Sequence, residues 1–130
     1  MSLTISAATL VVDDYDRAIS FYRDVLGLAL LSDTPLGGGK RWITIVGAGG
    51  ARLLLAQADG ATQAAAIGNQ TGGRVGFFLE TDDFEGDHAR LVEAGVKFLE
   101  APRQEAYGSV AVFEDLYGNK WDLIEPKPAA

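Results

Sequence analysis

Hydrophobic and polar positions change period several times along the chain. Residues 4–12 (TISAATLVV) are β-rich and mostly apolar, which predicts a strand buried on both sides. Asp13 and Asp14 stand where they can cap a helix. Ala18, Phe21, Tyr22, Val25 and Leu26 then recur at helical spacing, and Gly27 supplies the stop. Leu28 to Ser32 returns to strand character, and Pro35 with Gly37 to Gly39 reads as a loop. Trp42 to Val46 and Arg52 to Gln57 are two further strands, separated by a glycine-rich turn.

Residues 58–73 are Ala, Gly and polar rich and read as a connector. The pattern then repeats. Val75 to Thr81 predicts a strand. Asp82 and Asp83 precede a helix with Phe84, His88, Leu91 and Val92 on one stripe, ended by Gly95. Strands follow over Val96 to Glu100, Ser109 to Glu114 and Trp121 to Glu125. Pro102 to Gly108 reads as a loop, Tyr117-Gly118-Asn119 as a turn, and the tail from Pro126 as frayed. Val12-Asp13-Asp14-Tyr15 aligns with Thr81-Asp82-Asp83-Phe84 at an offset of 69, and Leu26-Gly27-Leu28 with Ala94-Gly95-Val96 at 68. The chain is therefore expected to be α+β, with two tandem βαβββ modules in one structural domain. Residues 1–57 form the first module, 58–73 the connector and 74–130 the second.

Composition narrows the chemistry. There is no Cys and only one His, His88. Disulfides, thiolate metal sites and cysteine nucleophiles are excluded, as is a His-pair metal site within one chain. The net charge of −7 comes from 18 acidic and 11 basic residues with no Lys/Arg cluster, so nucleic acid and anionic membrane are poor partners. No apolar run approaches the ~20 residues of a membrane span. Met1 to Val12 does not read as a signal peptide, so the expected compartment is the cytoplasm. Neither Gly37-Gly38-Gly39-Lys40-Arg41 nor Gly47-Ala48-Gly49-Gly50-Ala51-Arg52 meets a nucleotide-loop pattern; both read as hairpin turns.

The residues Val12-Asp13-Asp14, Ala18-Ile19-Ser20-Phe21-Tyr22 and Val25-Leu26-Gly27 carry a resemblance. So do Asp82-Asp83, Ala94-Gly95-Val96 and the run from Glu114 to Glu125 (EDLYGNKWDLIE). Together they resemble the vicinal oxygen chelate superfamily, which includes glyoxalase I, bleomycin-resistance and fosfomycin-resistance proteins and extradiol dioxygenases. The resemblance implies curved sheets around a cavity, helices on the outer face and a homodimer. In metal-using members it also implies four inward ligands, which fall here at Ala7, Leu54, Gly76 and Asp122. Only Asp122 offers a donor, so no metal and no other cofactor is expected.

Strand alternation turns Ala7, Thr9 and Val11 inward, with Arg52, Leu54 and Ala56, then Gly76, Phe78 and Glu80, and finally Lys120, Asp122 and Ile124. Asp122 and Glu80 are the candidate acid–base groups. Each also has a plain reading: Asp122 as a carboxylate paired with Arg52 or Lys120, Glu80 as a solvated strand end. Thr9, Trp42, Arg52, Leu54, Phe78 and Tyr107 are candidate ligand contacts. Tyr107 sits on a loop that its neighbour Gly108 lets bend, and Trp121 turns to the helix layer. His88 belongs to the outer layer, away from the cavity. The leading expectation is a metal-independent binder of a small, partly apolar organic molecule. The competing ones are a metal-dependent lyase, isomerase or dioxygenase of glyoxalase type, and a ligand-free structural or regulatory dimer.

Overall fold

The computed structural model describes residues 2–128. The chain divides into two compact units, residues 1–67 and 68–130. Each unit has the α+β composition expected from the sequence, with its own curved sheet.

Unit 1 begins with β1 (Ala7–Val12), then α1 (Tyr15–Ile19) and a π-helical segment (Ser20–Val25). Asp14 caps α1, its Oδ1 accepting from Arg17 N at 2.8 Å. The wider turns carry Tyr22 and Leu26 fully into the core and leave Phe21 and Val25 half-buried, so the apolar stripe is narrower than regular helical spacing predicts. Gly27 ends the segment at φ 84°, a left-handed conformation suited to glycine. β2 (Ala29–Gly37), β3 (Lys40–Val46) and β4 (Arg52–Gln57) complete a sheet of order β1-β4-β3-β2, with β1 and β4 parallel. The loop expected at Pro35 is instead strand: Pro35 pairs with Arg41, and only Gly38 and Gly39 turn the hairpin. Arg41 ties this hairpin to α1, bonding Asp16 at 2.8 Å and Asp33 at 2.7 Å beneath the Tyr15 ring. A short helix, α2 (Ala61–Ala66), follows β4 within the same unit.

Unit 2 repeats the plan with one extra strand. β5 (Val75–Glu80) leads to α3 (Phe84–Glu93), capped by Asp83 and stopped by Gly95 at φ 89°. Val92 is exposed, so the buried stripe of α3 runs through Phe84 and Leu91. β6 is only Lys97–Phe98. β7 (Arg103–Glu105) forms where a loop was expected and pairs with β8 (Gly108–Glu114). β9 (Lys120–Pro126) lies between β5 and β8 and takes in Pro126, the first residue of the expected frayed tail; residues 129 and 130 of that tail lie outside the described residues.

In both sheets one face packs on the helix layer. Leu10, Val12, Ile43 and Leu55 do so in unit 1, and Phe113, Trp121 and Leu123 in unit 2. Burial of each such side chain is worth about 1.5–3 kcal/mol. Trp121 stacks on Phe77 at 4.8 Å and on Phe113 at 5.9 Å. Its indole N–H donates to Asp115 Oδ2 at 3.0 Å. Asn119 Nδ2 donates to the same oxygen, while the backbone N–H groups of Tyr117 and Asn119 donate to Asp115 Oδ1. Asp115 is thus a buried carboxyl group that closes the β8–β9 turn with four hydrogen bonds. Asp115→Ala leaves those donors unsatisfied and lowers unfolding free energy by about 3 kcal/mol or more, read by urea denaturation. A loss below about 1 kcal/mol would contradict that role.

Candidate functional site

The face of each sheet turned away from its helix layer follows directly from register. In unit 1 one row across it is Thr9, Leu54, Thr44 and Ser32. Ser32 and Thr44 bond their hydroxyls to each other at 2.5 Å. A neighbouring row joins Ala7 to Arg52 and Val46. Arg52 is exposed at the start of β4, and Trp42 stands on the same face, 47% exposed. Apart from Arg52 these two rows are apolar and hydroxylic, with no carboxylate.

Unit 2 presents the chemistry. Phe78, Asp122 and Val112 form one row; Glu80, Ile124, Val110 and Arg103 form the next. Phe78 is 66% exposed although it lies in a strand interior. Asp122 is part-buried, and its Oδ1 is sealed from solvent with no hydrogen-bond partner. Burial pushes the Asp122 carboxyl above its ordinary 3.8; Arg103 opposes the rise and Glu100 adds to it. Arg103 is itself occupied. Its Nε bonds Glu100 at 2.8 Å and its Nη1 bonds Glu105 at 2.6 Å. These carboxylates, with the Tyr107 hydroxyl, hold the guanidinium even more firmly charged than usual. Glu100 Oε1 also accepts from Val112 N at 3.1 Å, which fixes the cluster to β8.

Two of the groups around Asp122, Glu100 and Arg103, escape sequence reading. Arg103 lies in a charged segment without apolar alternation, and Glu100 reaches the face from beyond β6 through its side chain. Glu80 shares the face but sits two residues along β5 from the Phe78–Asp122 row, exposed at the strand end. Tyr107 does not lie on a bending loop. Glu105 pairs with Gly108 across a tight hairpin, and Lys127 N donates to the Tyr107 carbonyl at 2.9 Å. Gly108 is needed for close approach: at φ 151°, a Cβ there would lie 2.2 Å from the Glu125 carbonyl oxygen.

The metal positions implied by resemblance do not fit an ion. Ala7 and Leu54 carry no donor atom, and the residue opposite Leu54 is Thr9, a neutral hydroxyl. Gly76 falls at a bulge in β5 and Phe78 stands opposite Asp122. A Cβ on Gly76 would lie 2.5 Å from the Thr71 methyl, so Thr71 already fills the space a ligand side chain would need. Among the described residues no group of three His, Asp or Glu side chains is placed to hold a metal.

His88 lies in the helix layer, its ring 4.3 Å from Phe98 and 5.7 Å from Phe84. It lines a separate groove of about 560 Å3 with Asp83, Pro102, Gln104, Ser109 and Glu125. The groove is built from structural caps: Asp83 and Glu125 are spent on the backbone N–H groups of Gly86 and Phe84.

The chain belongs to the Glyoxalase/Bleomycin resistance protein/Dioxygenase superfamily, whose sequence profile matches residues 4–123. An uncharacterized protein of Shewanella frigidimarina (strain NCIMB 400) is 48% identical over 128 residues, covering 96% of this chain and 95% of that protein. Among solved structures, UcmS2 is 29% identical with a TM-score of 0.81, covering 95% of this chain and 98% of its own. TnmS3, an antibiotic binding protein from Streptomyces sp. CB03234, is 31% identical with a TM-score of 0.78, covering 98% and 99%. No helix among the described residues is long and apolar enough to cross a membrane.

The raised Asp122 carboxyl has a direct consequence for stability. A carboxyl whose folded value lies above its unfolded one binds more protons when folded, so its contribution is favourable at low pH and is lost as pH rises through the folded value. Asp122→Asn removes that loss. Relative to the parent at the same pH, the variant gains stability as pH rises above the ordinary aspartate value of 3.8, measured by urea denaturation at each pH. A difference that stays constant above that value would show that Asp122 titrates normally.

Proposed function

We propose that the protein binds a small, partly apolar organic molecule on the inner sheet face of unit 2 without using a bound metal. The observation that carries this reading is Asp122 Oδ1, a sealed carboxyl oxygen that nothing donates to, beside the exposed ring of Phe78. Leaving a buried acceptor unmatched costs about 1–3 kcal/mol, and large apolar side chains are more often covered. An occupant with a hydrogen-bond donor and an apolar body covers the Phe78 ring and bonds the other oxygen of the same carboxyl. The similarity to TnmS3, an antibiotic binding protein, favours the same reading. The donor-free residues at Ala7, Leu54 and Gly76 argue against a metal-dependent lyase, isomerase or dioxygenase, which would route its chemistry through those positions.

Within this reading Asp122, the acceptor, is also the group best placed to exchange a proton with an occupant, because burial holds its proton affinity high. Thr9, Trp42, Arg52 and Leu54 lie on the corresponding face of unit 1 and are candidate ligand contacts of that unit. Glu80 and Tyr107 border the unit 2 face. A homodimer is part of the proposal, supported by Leu31 and Leu36, both exposed on the edge strand β2. Sedimentation at micromolar concentration is expected to give twice the 13.8 kDa chain mass, and a 13.8 kDa species would refute the dimer.

A thermal-shift screen of diverse small molecules tests the function. Binders raise the melting temperature progressively with concentration. The shift is expected to survive EDTA and to be lost in Asp122→Ala. Loss of the shift on chelation, with a stoichiometric divalent ion in the purified protein, would instead establish the metal-dependent reading. No response across the library would favour the ligand-free dimer.

A further inference from the structure

The inner face of unit 2 contains an arginine, which ordinarily suggests recognition of carboxylate or phosphate. Much of its donor capacity is already spent. Nε of Arg103 is held by both oxygens of Glu100, at 3.0 and 2.8 Å, and Nη1 by Glu105. The other cations on the face are Lys120, at the strand end in register with Glu114, and Lys97, which pairs with Glu114 at 3.5 Å. Glu80, Glu100, Glu105, Glu114 and Asp122 therefore outnumber the cations on this face, and the arginine's charge is already matched. An incoming anion would meet repulsion from these carboxylates and find Arg103 engaged.

What the face lacks is a donor. Asp122 Oδ1 has no partner, and the Phe78 ring stands open on the same row. Oδ1 itself is sealed, so a donor arriving from the open side meets the second oxygen of the same carboxyl, Oδ2. The Phe78 ring offers a flat apolar surface for offset stacking.

Resting on the binding reading above, we infer that the unit 2 face selects aromatic ligands that carry a hydrogen-bond donor, a hydroxyl or a protonated amine, and rejects aromatic carboxylates. Phe78 stacks on the ring system and Asp122 accepts from the donor. Glu100 and Glu105 act through Arg103, neutralising the cation that would otherwise admit anions.

Isothermal titration of the full chain with four matched naphthalenes tests this. 2-Naphthol and 2-naphthylmethylammonium are expected to bind about tenfold or more tightly than 2-methoxynaphthalene, which has the same body and no donor. 2-Naphthoate is expected to bind weakest of the four. In Asp122→Asn the preference for the ammonium over 2-naphthol falls, because the amide oxygen still accepts but carries no charge. Phe78→Ala, at an exposed position that leaves folding intact, weakens all the binders together. Equal affinity for 2-naphthol and 2-methoxynaphthalene, or tightest binding by 2-naphthoate, would overturn the donor rule while leaving the binding reading in place. Silence from all four, with hits in the wider screen that depend on Asp122, would overturn the aromatic class alone. Silence in both would overturn the two readings together.

Discussion

The carboxyl group of Asp115 is the fixed point of the second unit. Two backbone N–H groups, the Asn119 amide and the Trp121 indole all converge on its oxygens at 3.0 Å. A carboxyl group taken out of water is tolerated only when its lone pairs are met this fully. The turn it closes sets β8 against β9 so that Phe113 faces Trp121 and Val112 faces Asp122. A slip of one residue would send Asp122 into the helix layer and Trp121 to the open face. The location of the candidate site is therefore a consequence of the turn chemistry seven residues earlier.

The contrast between Asp115 and Asp122 then becomes informative. Both sit in the same short stretch of chain, and both are withdrawn from solvent. One has every acceptor position occupied and serves as structure. The other has a sealed oxygen with nothing to receive, next to an aromatic ring left open. Polar groups left unmatched in a folded core are costly, and the proposed binding function rests on this contrast. Around Asp122 the Glu100–Arg103–Glu105 cluster is internally neutralised and tied to the backbone of β8 through Val112. It supplies shape and a negative potential more than a free charge to bind with.

Much of this was legible in the sequence. The alternation of Arg52-Leu53-Leu54-Leu55 and Lys120-Trp121-Asp122-Leu123 assigns each residue to the correct face, because a half-buried strand repeats every two residues. The expected outer position of His88 follows from helical spacing in the same way. What escaped had no periodic signal. β7 is Arg-Gln-Glu, a strand made by pairing with β8 and not by apolar alternation. The bulge at Gly76 depends on Thr71 occupying the space beside it. The partners of Asp122 come from segments 19 and 22 residues away, so only the folded sheet brings Arg103 and Glu100 to it. Ala7, Leu54 and Gly76 carry no metal donor by residue type alone; that Phe78 stands opposite Asp122 required the register.

The central claim is that the occupant sits on the inner face at Asp122 and not in the helix-side groove near His88. A two-dimensional amide NMR titration with any binder identified by screening locates it directly. The largest shifts are expected on the amides of Phe78, Val112, Asp122 and Arg103. Shifts concentrated on Asp83, His88, Gln104 and Ser109, with the Asp122 row unmoved, would contradict the claim.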